Sequence, residues 1–169
     1  HNNGTGVVLS GATTKLKASG GFAAHANGAG LQIGGSAEAT LENSRFYSNR
    51  GSGIIANGQA VLTLTGCELH SNATSGLEFS GKTLTMRSST LRDNRGAGLT
   101  VSGAPTKVDL GTFTELGNND LRGNSATSGQ ILDARLYIGQ LGAVVFTVSA
   151  TKLNGVNPRA DIYTGQYNN

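Results

Sequence analysis

The chain is poor in the residues that stabilise most small globular domains. Its 169 residues include no tryptophan, one cysteine, one methionine and two prolines, and only 5% of them are aromatic. Because Cys67 stands alone, the sequence excludes an intrachain disulfide and a metal site built from several thiolates. No apolar run approaches the ~18 residues that a membrane-spanning helix needs, so we predict no membrane span.

Charge is scarce as well, since 14% of the residues are charged and the formal net charge is +3. The lysines and arginines are spread singly along the chain. Nucleic-acid-binding proteins usually concentrate such residues on one stripe and add aromatic side chains that stack on bases. The pattern therefore argues against nucleic acid as a partner.

What the chain has in excess is regularly spaced glycine. Glycine accounts for 26 residues, and a segment with an asparagine, two glycines and two alternating apolar residues recurs along the sequence. The second glycine falls at Gly6, Gly30, Gly53, Gly76, Gly98 and, in a degraded copy, Gly129. A fixed period of about 23 residues is typical of solenoids, in which each repeat contacts only its neighbours.

Aligned on these glycines, the repeats place apolar residues in columns with a spacing of two, which is the spacing of a strand. Such short strands are unstable alone, so we predict that the chain coils and stacks equivalent strands in parallel about 4.8 Å apart. The predicted fold is all-β, a single-stranded right-handed parallel β-helix of about six coils. The inward positions expected for the first coil are Val7, Leu9, Thr14, Leu16 and Phe22.

The two ends of the solenoid differ in this prediction. We expect coils over residues 1–133, with a loop insertion at about 104–120, and capping strands followed by a polar tail over 134–169. An open strand edge recruits other chains, and the run of apolar residues at 144–146 is available to cover the last coil. No comparable segment precedes Val7. The N-terminal end is therefore expected to continue into preceding sequence in the native product, or to associate with a second copy.

One asparagine of each repeat falls at an equivalent position shortly before the coil glycine. These residues are Asn27, Asn49, Asn72, Asn94 and Asn124. Asparagine tolerates the left-handed backbone conformation, and identical amides stacked in a column hydrogen-bond to one another. We interpret the column as a structural ladder at a turn and not as a ligand groove.

The repeat resembles that of the pectate-lyase-like parallel β-helix superfamily, most clearly in residues 49–54 (Asn-Arg-Gly-Ser-Gly-Ile) and 94–99 (Asn-Arg-Gly-Ala-Gly-Leu). Residues 108–111 and 117–124 are similar to the closing stretch of an uncharacterised β-helix family of secreted and surface-attached bacterial proteins. The resemblance implies a secreted or cell-surface location, although the chain itself carries no signal segment. It implies little about activity, because this fold hosts many functions.

The best candidate for a binding site is a column of outward polar side chains. Tyr47, His70 and Arg92 fall at equivalent positions, so they should stack about 4.8 Å apart. Glu68 lies on the strand of His70, and Arg45 is expected beside Glu68. Histidine with a carboxylate and an arginine can perform general acid–base catalysis, although pairs of this kind also arise simply to balance charge on a sheet. We predict a strip that contacts a sugar, with Tyr47 as its platform.

Acidic residues are too sparse to predict a catalytic carboxylate pair. The chain has ten of them, and few become neighbours when they are placed on the columns. Glycosidases need two carboxylates about 5–10 Å apart. Glu38 and Glu42 share a strand face and offer at most a weak calcium contact, so no cofactor is predicted.

These observations leave three functions open. The leading prediction is a non-catalytic extracellular module, which acts as a surface or adhesion spacer or binds a polysaccharide or cell-surface glycan. The first alternative is a polysaccharide lyase or glycoside hydrolase that uses the Tyr47, His70 and Arg92 face. The second is a fragment of a trimeric phage or surface fibre.

Overall fold

The structure is a computed structural model that describes residues 2–103, 105–112 and 114–124, together with the strand backbone at 136–138, 145–147 and 162–164. Throughout these ranges the regular secondary structure is β, in strands of three to five residues. Within the same ranges no helix is long and apolar enough to cross a membrane.

The strands form three sheets, and the chain visits each sheet once per coil. The first sheet contains, in spatial order, β1 (Val7–Leu9), β4 (Leu31–Ile33), β7 (Ile54–Asn57), β10 (Leu77–Ser80), β13 (Leu99–Val101), β15 (Leu136–Ile138) and β17 (Ile162–Thr164). The second contains β2 (Lys15–Ala18), β5 (Glu38–Glu42), β8 (Val61–Thr65), β11 (Thr83–Arg87), β14 (Lys107–Asp109) and β16 (Val145–Thr147). The third contains β3 (Ala23–His25), β6 (Arg45–Tyr47), β9 (Glu68–His70) and β12 (Thr90–Arg92).

Each strand pairs in parallel with the equivalent strand of the next coil. The backbone groups of one coil are therefore satisfied by the coils above and below it, which short strands cannot achieve alone. This arrangement confirms the predicted all-β parallel β-helix.

The core is a stack of aliphatic layers enclosed by the three sheets. Leu31, Ile54, Leu77 and Leu99 pair in register along the first sheet, and all four side chains are fully buried. Cys67 is 1% exposed and fills a small corner slot, as its position in the repeat predicts. Apolar burial of this kind is the main stabilising contribution, and it is added coil by coil.

The first coil departs from the predicted columns. Leu16 and Ala18 pair with the inward residues of β5, so the expected pair of Thr14 and Leu16 was wrong by two residues. In the third sheet Ala24 occupies the inward position, whereas the expected Phe22 lies half-buried before the strand. The alternation of inward and outward residues does not distinguish these assignments. The expected and the observed inward residues are two positions apart in sequence, so both point to the same side of a strand. Only pairing with the second coil decides between them.

Four complete coils carry all three strands among the described residues, against the six or so that were predicted. In the fifth coil the third strand is replaced by an isolated bridge between Thr90 and Asp120. A corner hydrogen bond spans 22 residues from Cys67 to Ser89, but the next one spans 30 residues from Ser89 to Asn119. The difference of eight residues forms a loop after β14.

The expected insertion at about 104–120 was therefore too wide. Lys107–Asp109 forms β14 in register with β11, and Asn119 and Asp120 already belong to the next corner and bridge. Beyond residue 124, β15, β16 and β17 continue the first two sheets in parallel. The capping role of 134–169, most of which lies outside the described residues, stays a prediction, as does association through the N-terminal end.

The corner before each ladder asparagine contains a residue in the left-handed conformation. The backbone φ is 52° at Ser48, 56° at Ser71 and 55° at Asp93. The sequence interpretation gave this conformation to the asparagines themselves, and that assignment was wrong by one residue. The left-handed residue turns the chain, so the following asparagine points inward with its amide toward the next coil.

The asparagine column forms a hydrogen-bonded ladder, as predicted. The Nδ2 atom of Asn49 donates to Oδ1 of Asn72 at 2.9 Å, and Nδ2 of Asn72 donates to Oδ1 of Asn94 at 2.9 Å. Each Oδ1 also accepts from the backbone N–H of the previous asparagine, and Nδ2 of Asn72 donates to the Phe46 carbonyl at 3.0 Å. A Cβ added at Gly53 would lie 2.9 Å from the amide nitrogen of Asn72. The coil glycine is therefore needed where the chain passes the ladder.

Replacing Asn72 by alanine should unpair several buried polar groups at once. We expect the free energy of unfolding to fall by about 3 kcal/mol or more, because the lost partners have no access to water. Asn27→Ala is the matched control, since Asn27 lies at the half-buried end of the same ladder and should cost about 1 kcal/mol or less. Urea unfolding measures both variants, and equal losses would contradict a ladder whose interior members contribute most.

The loop of the fifth coil is connected to the second sheet by a buried ion pair. Oδ1 of Asp109 lies 2.8 Å from Nη2 of Arg87, and Oδ2 lies 3.0 Å from Nζ of Lys107. The Gly111 amide donates to Asp109 at 3.0 Å, while Glu115 in the loop lies 3.5 Å from the Arg87 guanidinium. Burial opposes ionisation of Asp109, but these hydrogen bonds outweigh it and lower the pKa of the carboxyl group.

Because the pKa of Asp109 is lowered in the folded chain, the free energy of unfolding depends on pH in the acidic range. Its carboxylate stabilises the folded chain above the unfolded pKa of about 3.9, and this contribution is lost as the pH falls through the lower folded pKa. Asp109→Asn should therefore lower the free energy of unfolding by about 1–3 kcal/mol at pH 7. The deficit should shrink at pH 3, because the unfolded chain binds the proton below about 3.9 and the stabilisation by the folded carboxylate then declines.

Urea unfolding at pH 7 and pH 3 measures this difference. Glu38→Gln is the control, because Glu38 forms a solvent-exposed pair with Lys15 that should contribute about 1 kcal/mol or less. A deficit of Asp109→Asn that is the same at both pH values would show that the charge of Asp109 is not what stabilises the loop.

Candidate functional site

The outer surface of the third sheet carries two parallel rows of side chains. Register places Ala23, Arg45, Glu68, Thr90 and Asp120 in one row. The other row contains His25, Tyr47, His70 and Arg92, and Arg122 follows Asp120 by two residues and extends it. We call these two rows together the third-sheet face. Alternation along each strand directs both rows outward, while the residues between them enter the core.

Three aromatic rings of the second row are stacked on one another. The ring centroids of His25 and Tyr47 lie 4.8 Å apart with an interplanar angle of 14°, and those of Tyr47 and His70 lie 5.2 Å apart at 8°. Both faces of the Tyr47 ring are therefore covered by imidazoles. This corrects the expectation that Tyr47 acts as a platform for a sugar ring. The stack presents ring edges, with imidazole nitrogens and a phenol hydroxyl, to a ligand.

His70 is a titratable group of this face whose pKa is shifted by its surroundings. Its Nδ1 lies 3.1 Å from the Ser71 hydroxyl. Partial burial and then the positive charge of Arg92 lower the pKa of His70, although Glu68 and Asp93 oppose that change. The imidazole is consequently neutral at pH 7, and it can both donate and accept a hydrogen bond.

Every arginine of the face has a carboxylate partner. Nε of Arg45 lies 3.6 Å from Glu68, and Nη1 of Arg92 lies 2.5 Å from Asp93. Asp120 accepts two contacts from Arg122, at 2.8 Å from Nε and 2.5 Å from Nη2. Three guanidinium groups and three carboxylates thus balance one another on this surface. Such exposed pairs contribute little to stability, so they are free to exchange partners with a ligand.

An open cleft lies at the end of the face, where the fourth coil meets the bridge segment of the fifth. Its volume is about 290 Å³. The residues that line it are Thr90, Arg92, Asp93, Asp120, Arg122 and Gly123. Two guanidinium groups supply paired N–H donors, two carboxylates supply acceptors, and a threonine hydroxyl supplies both. The cleft continues directly from the stacked rings, because Arg92 follows His70 in the same row.

Comparison with known proteins identifies the family of this chain. Residues 1–152 match the family described as "Right handed beta helix region". The chain belongs to this family. It matches no curated protein and no solved structure. Membership in the right-handed β-helix family agrees with the parallel coils and indicates no ligand, since function on such a fold depends on the site.

The β-helix brings together all five residues predicted for the site. Tyr47, His70 and Arg92 share a row, and Arg45 and Glu68 are paired in the adjacent row. Whether these residues bind a ligand stays a prediction. The ladder residues Asn27, Asn49, Asn72, Asn94 and Asn124 hydrogen-bond within the corner.

Sequence reasoning missed three residues of the face, namely His25, Asp120 and Arg122, and the neighbouring Asp93. His25 was missed because Phe22 was assigned to the inward column, which shifted the first coil by two residues and placed Ala23 in the row of Tyr47. Arg122 and Asp120 follow the eight additional residues of the fifth coil, so counting by a period of about 23 residues does not reach them. The Gly117-Asn118-Asn119-Asp120 stretch was a usable signal, since Asn119 occupies the corner slot of Ser89.

The geometry of β5 does not support the possible calcium contact of Glu38 and Glu42. These residues occupy the two ends of the strand, where the rise of an extended chain separates their Cα atoms by about 13 Å. Two ligands of one calcium ion must each lie within about 2.6 Å of it. Glu38 is instead 2.8 Å from Nζ of Lys15. In the part of the chain that the structure describes, no three His, Cys, Asp or Glu side chains form a group that could hold a metal ion.

Proposed function

We propose that this β-helix is a non-catalytic extracellular glycan-binding module, and that the third-sheet face with its cleft is the binding surface. The observation that carries the proposal is the cleft of about 290 Å³, in which two arginine–aspartate pairs lie at the end of the stacked rings. The polar side chains converge on one open surface and leave room for a sugar unit.

Proteins recognise sugars through groups that form hydrogen bonds to two neighbouring hydroxyls at once. The guanidinium groups of Arg92 and Arg122 each present parallel N–H donors, and the carboxylates of Asp93 and Asp120 accept from the hydroxyl hydrogens. The edges of Tyr47 and the two histidines add further donors and acceptors along the row. A glycan longer than one sugar unit would therefore find partners both in the cleft and along the stacked rings.

The same contacts argue against catalysis. A glycosidase requires one carboxyl group that donates a proton and a second that attacks or activates water. In the cleft one oxygen of each carboxylate lies 2.5 Å from an arginine, so both carboxylates are already engaged in ion pairs. The extracellular location is supported by the resemblance of residues 108–111 and 117–124 to secreted and surface-attached β-helix proteins.

Binding is tested first on a glycan array and then by titration of the glycans that bind. Arg92→Met and Arg122→Met should each weaken binding about tenfold or more, because each removes a charged pair of hydrogen-bond donors. Lys17→Met is the matched control, since it removes an equal charge from the outward side of β2. The proposal is wrong if the array shows no binding, or if Lys17→Met weakens binding as much as the arginine variants do.

Hydrolysis is the alternative that a specific observation favours, because the cleft contains two carboxylates. Incubation of the protein with the bound glycans, followed by a measurement of new reducing ends, separates the two functions. Turnover that Asp93→Asn and Asp120→Asn each abolish would replace the binding module by a glycoside hydrolase. We expect the glycans to remain intact.

A further inference from the structure

The arginines of the third-sheet face are balanced in charge by neighbouring carboxylates. Arg45, Arg92 and Arg122 are matched by Glu68, Asp93 and Asp120, each within 3.6 Å of an arginine. An anionic ligand therefore gains no net attraction from these six groups. The group whose charge can still change near neutral pH is His70.

Both histidines lie in the same row as two of the arginines. His25 and His70 cover the two faces of the Tyr47 ring, and Arg92 and Arg122 follow His70 along the row. Protonation of His70 would add a positive charge to this row without moving any strand. The face of the Tyr47 ring stabilises an adjacent cation, so the stack tolerates this charge.

We propose that the third-sheet face binds oxyanionic glycans, which carry sulfate or carboxylate groups, and that protonation of His70 controls this binding. The inference rests on the proposed glycan-binding function and specifies its ligand class and regulation. Planar guanidinium groups bind such oxyanions through two parallel hydrogen bonds, and an imidazolium in the same row adds a further charged donor.

The surroundings of His70 set the direction of the effect. Partial burial is the largest cause of the lowered pKa of His70, the charges of Arg92 and Arg45 add to it, and Glu68 and Asp93 oppose it. Tyr47 stacks on its ring, and Ser71 contacts Nδ1. His25 stacks on the other face of Tyr47. An oxyanion held by Arg92 screens that arginine from His70 and raises the pKa of the imidazole. Binding then takes up a proton, so affinity for the anion must increase as the pH falls.

Titration calorimetry at pH 7.5 and pH 5.5 tests the inference with three probes. A sulfated oligosaccharide carries a charge that does not change over this range, its desulfated counterpart is the neutral match, and an oligouronate carries carboxylates instead. We expect the sulfated probe to bind about fivefold or more tightly at pH 5.5. The desulfated probe should bind equally at both pH values. Repeating the titration in buffers of different ionisation enthalpy measures the proton uptake.

His70→Asn should bind the sulfated probe with the same affinity at both pH values, and Thr63→Ala on the second sheet should behave as wild type. Binding of glycans without any pH dependence in wild type would overturn this inference and leave the glycan-binding function intact. Retention of the pH dependence in His70→Asn would also overturn it. If no probe binds at either pH, the glycan-binding function fails as well. A pH effect with the oligouronate alone would exclude sulfate as the recognised group.

Discussion

The register in which successive coils pair is the constraint on which the rest of this structure depends. Strands of three to five residues have no stability of their own, and each is held by parallel hydrogen bonds to the coils on either side. The asparagine ladder fixes the same register from inside, because the amides of Asn49, Asn72 and Asn94 are buried and each donates to the asparagine of the next coil. A slip by one residue would break this ladder and expose the aliphatic columns to water.

The third-sheet face is a direct consequence of that register. The residues between its two rows fill the core, and the left-handed corner residue before each ladder asparagine ends the strand at the same point in every coil. His25, Tyr47 and His70 therefore meet ring against ring although they are 22 and 23 positions apart in sequence. The cleft forms where this regularity stops, since the eight-residue loop of the fifth coil leaves only a bridge in place of a strand.

Periodicity made most of the fold predictable, because a stacked column reveals itself by repeated chemistry at a fixed interval. It succeeded from the second coil to the fourth and correctly placed Tyr47 with His70 and Arg92. It failed at Phe22 and Thr14, where residues two positions apart fit the alternation of a strand equally well. It also failed at Asp120 and Arg122, because a loop lengthens the repeat before them. Orientation of the rings was also beyond the sequence, since a column of aromatic residues does not reveal whether faces or edges meet the solvent.

A comparison of Leu64→Asp with Thr63→Asp measures the register most directly. The Leu64 side chain is fully buried in the core, whereas its neighbour Thr63 points outward between Thr40 and Thr85. We predict that aspartate at 64 prevents folding, because it places an unpaired carboxylate in the aliphatic stack, and that aspartate at 63 costs about 1 kcal/mol or less. Similar melting temperatures for the two variants would contradict the register and, with it, the outward placement of the third-sheet face.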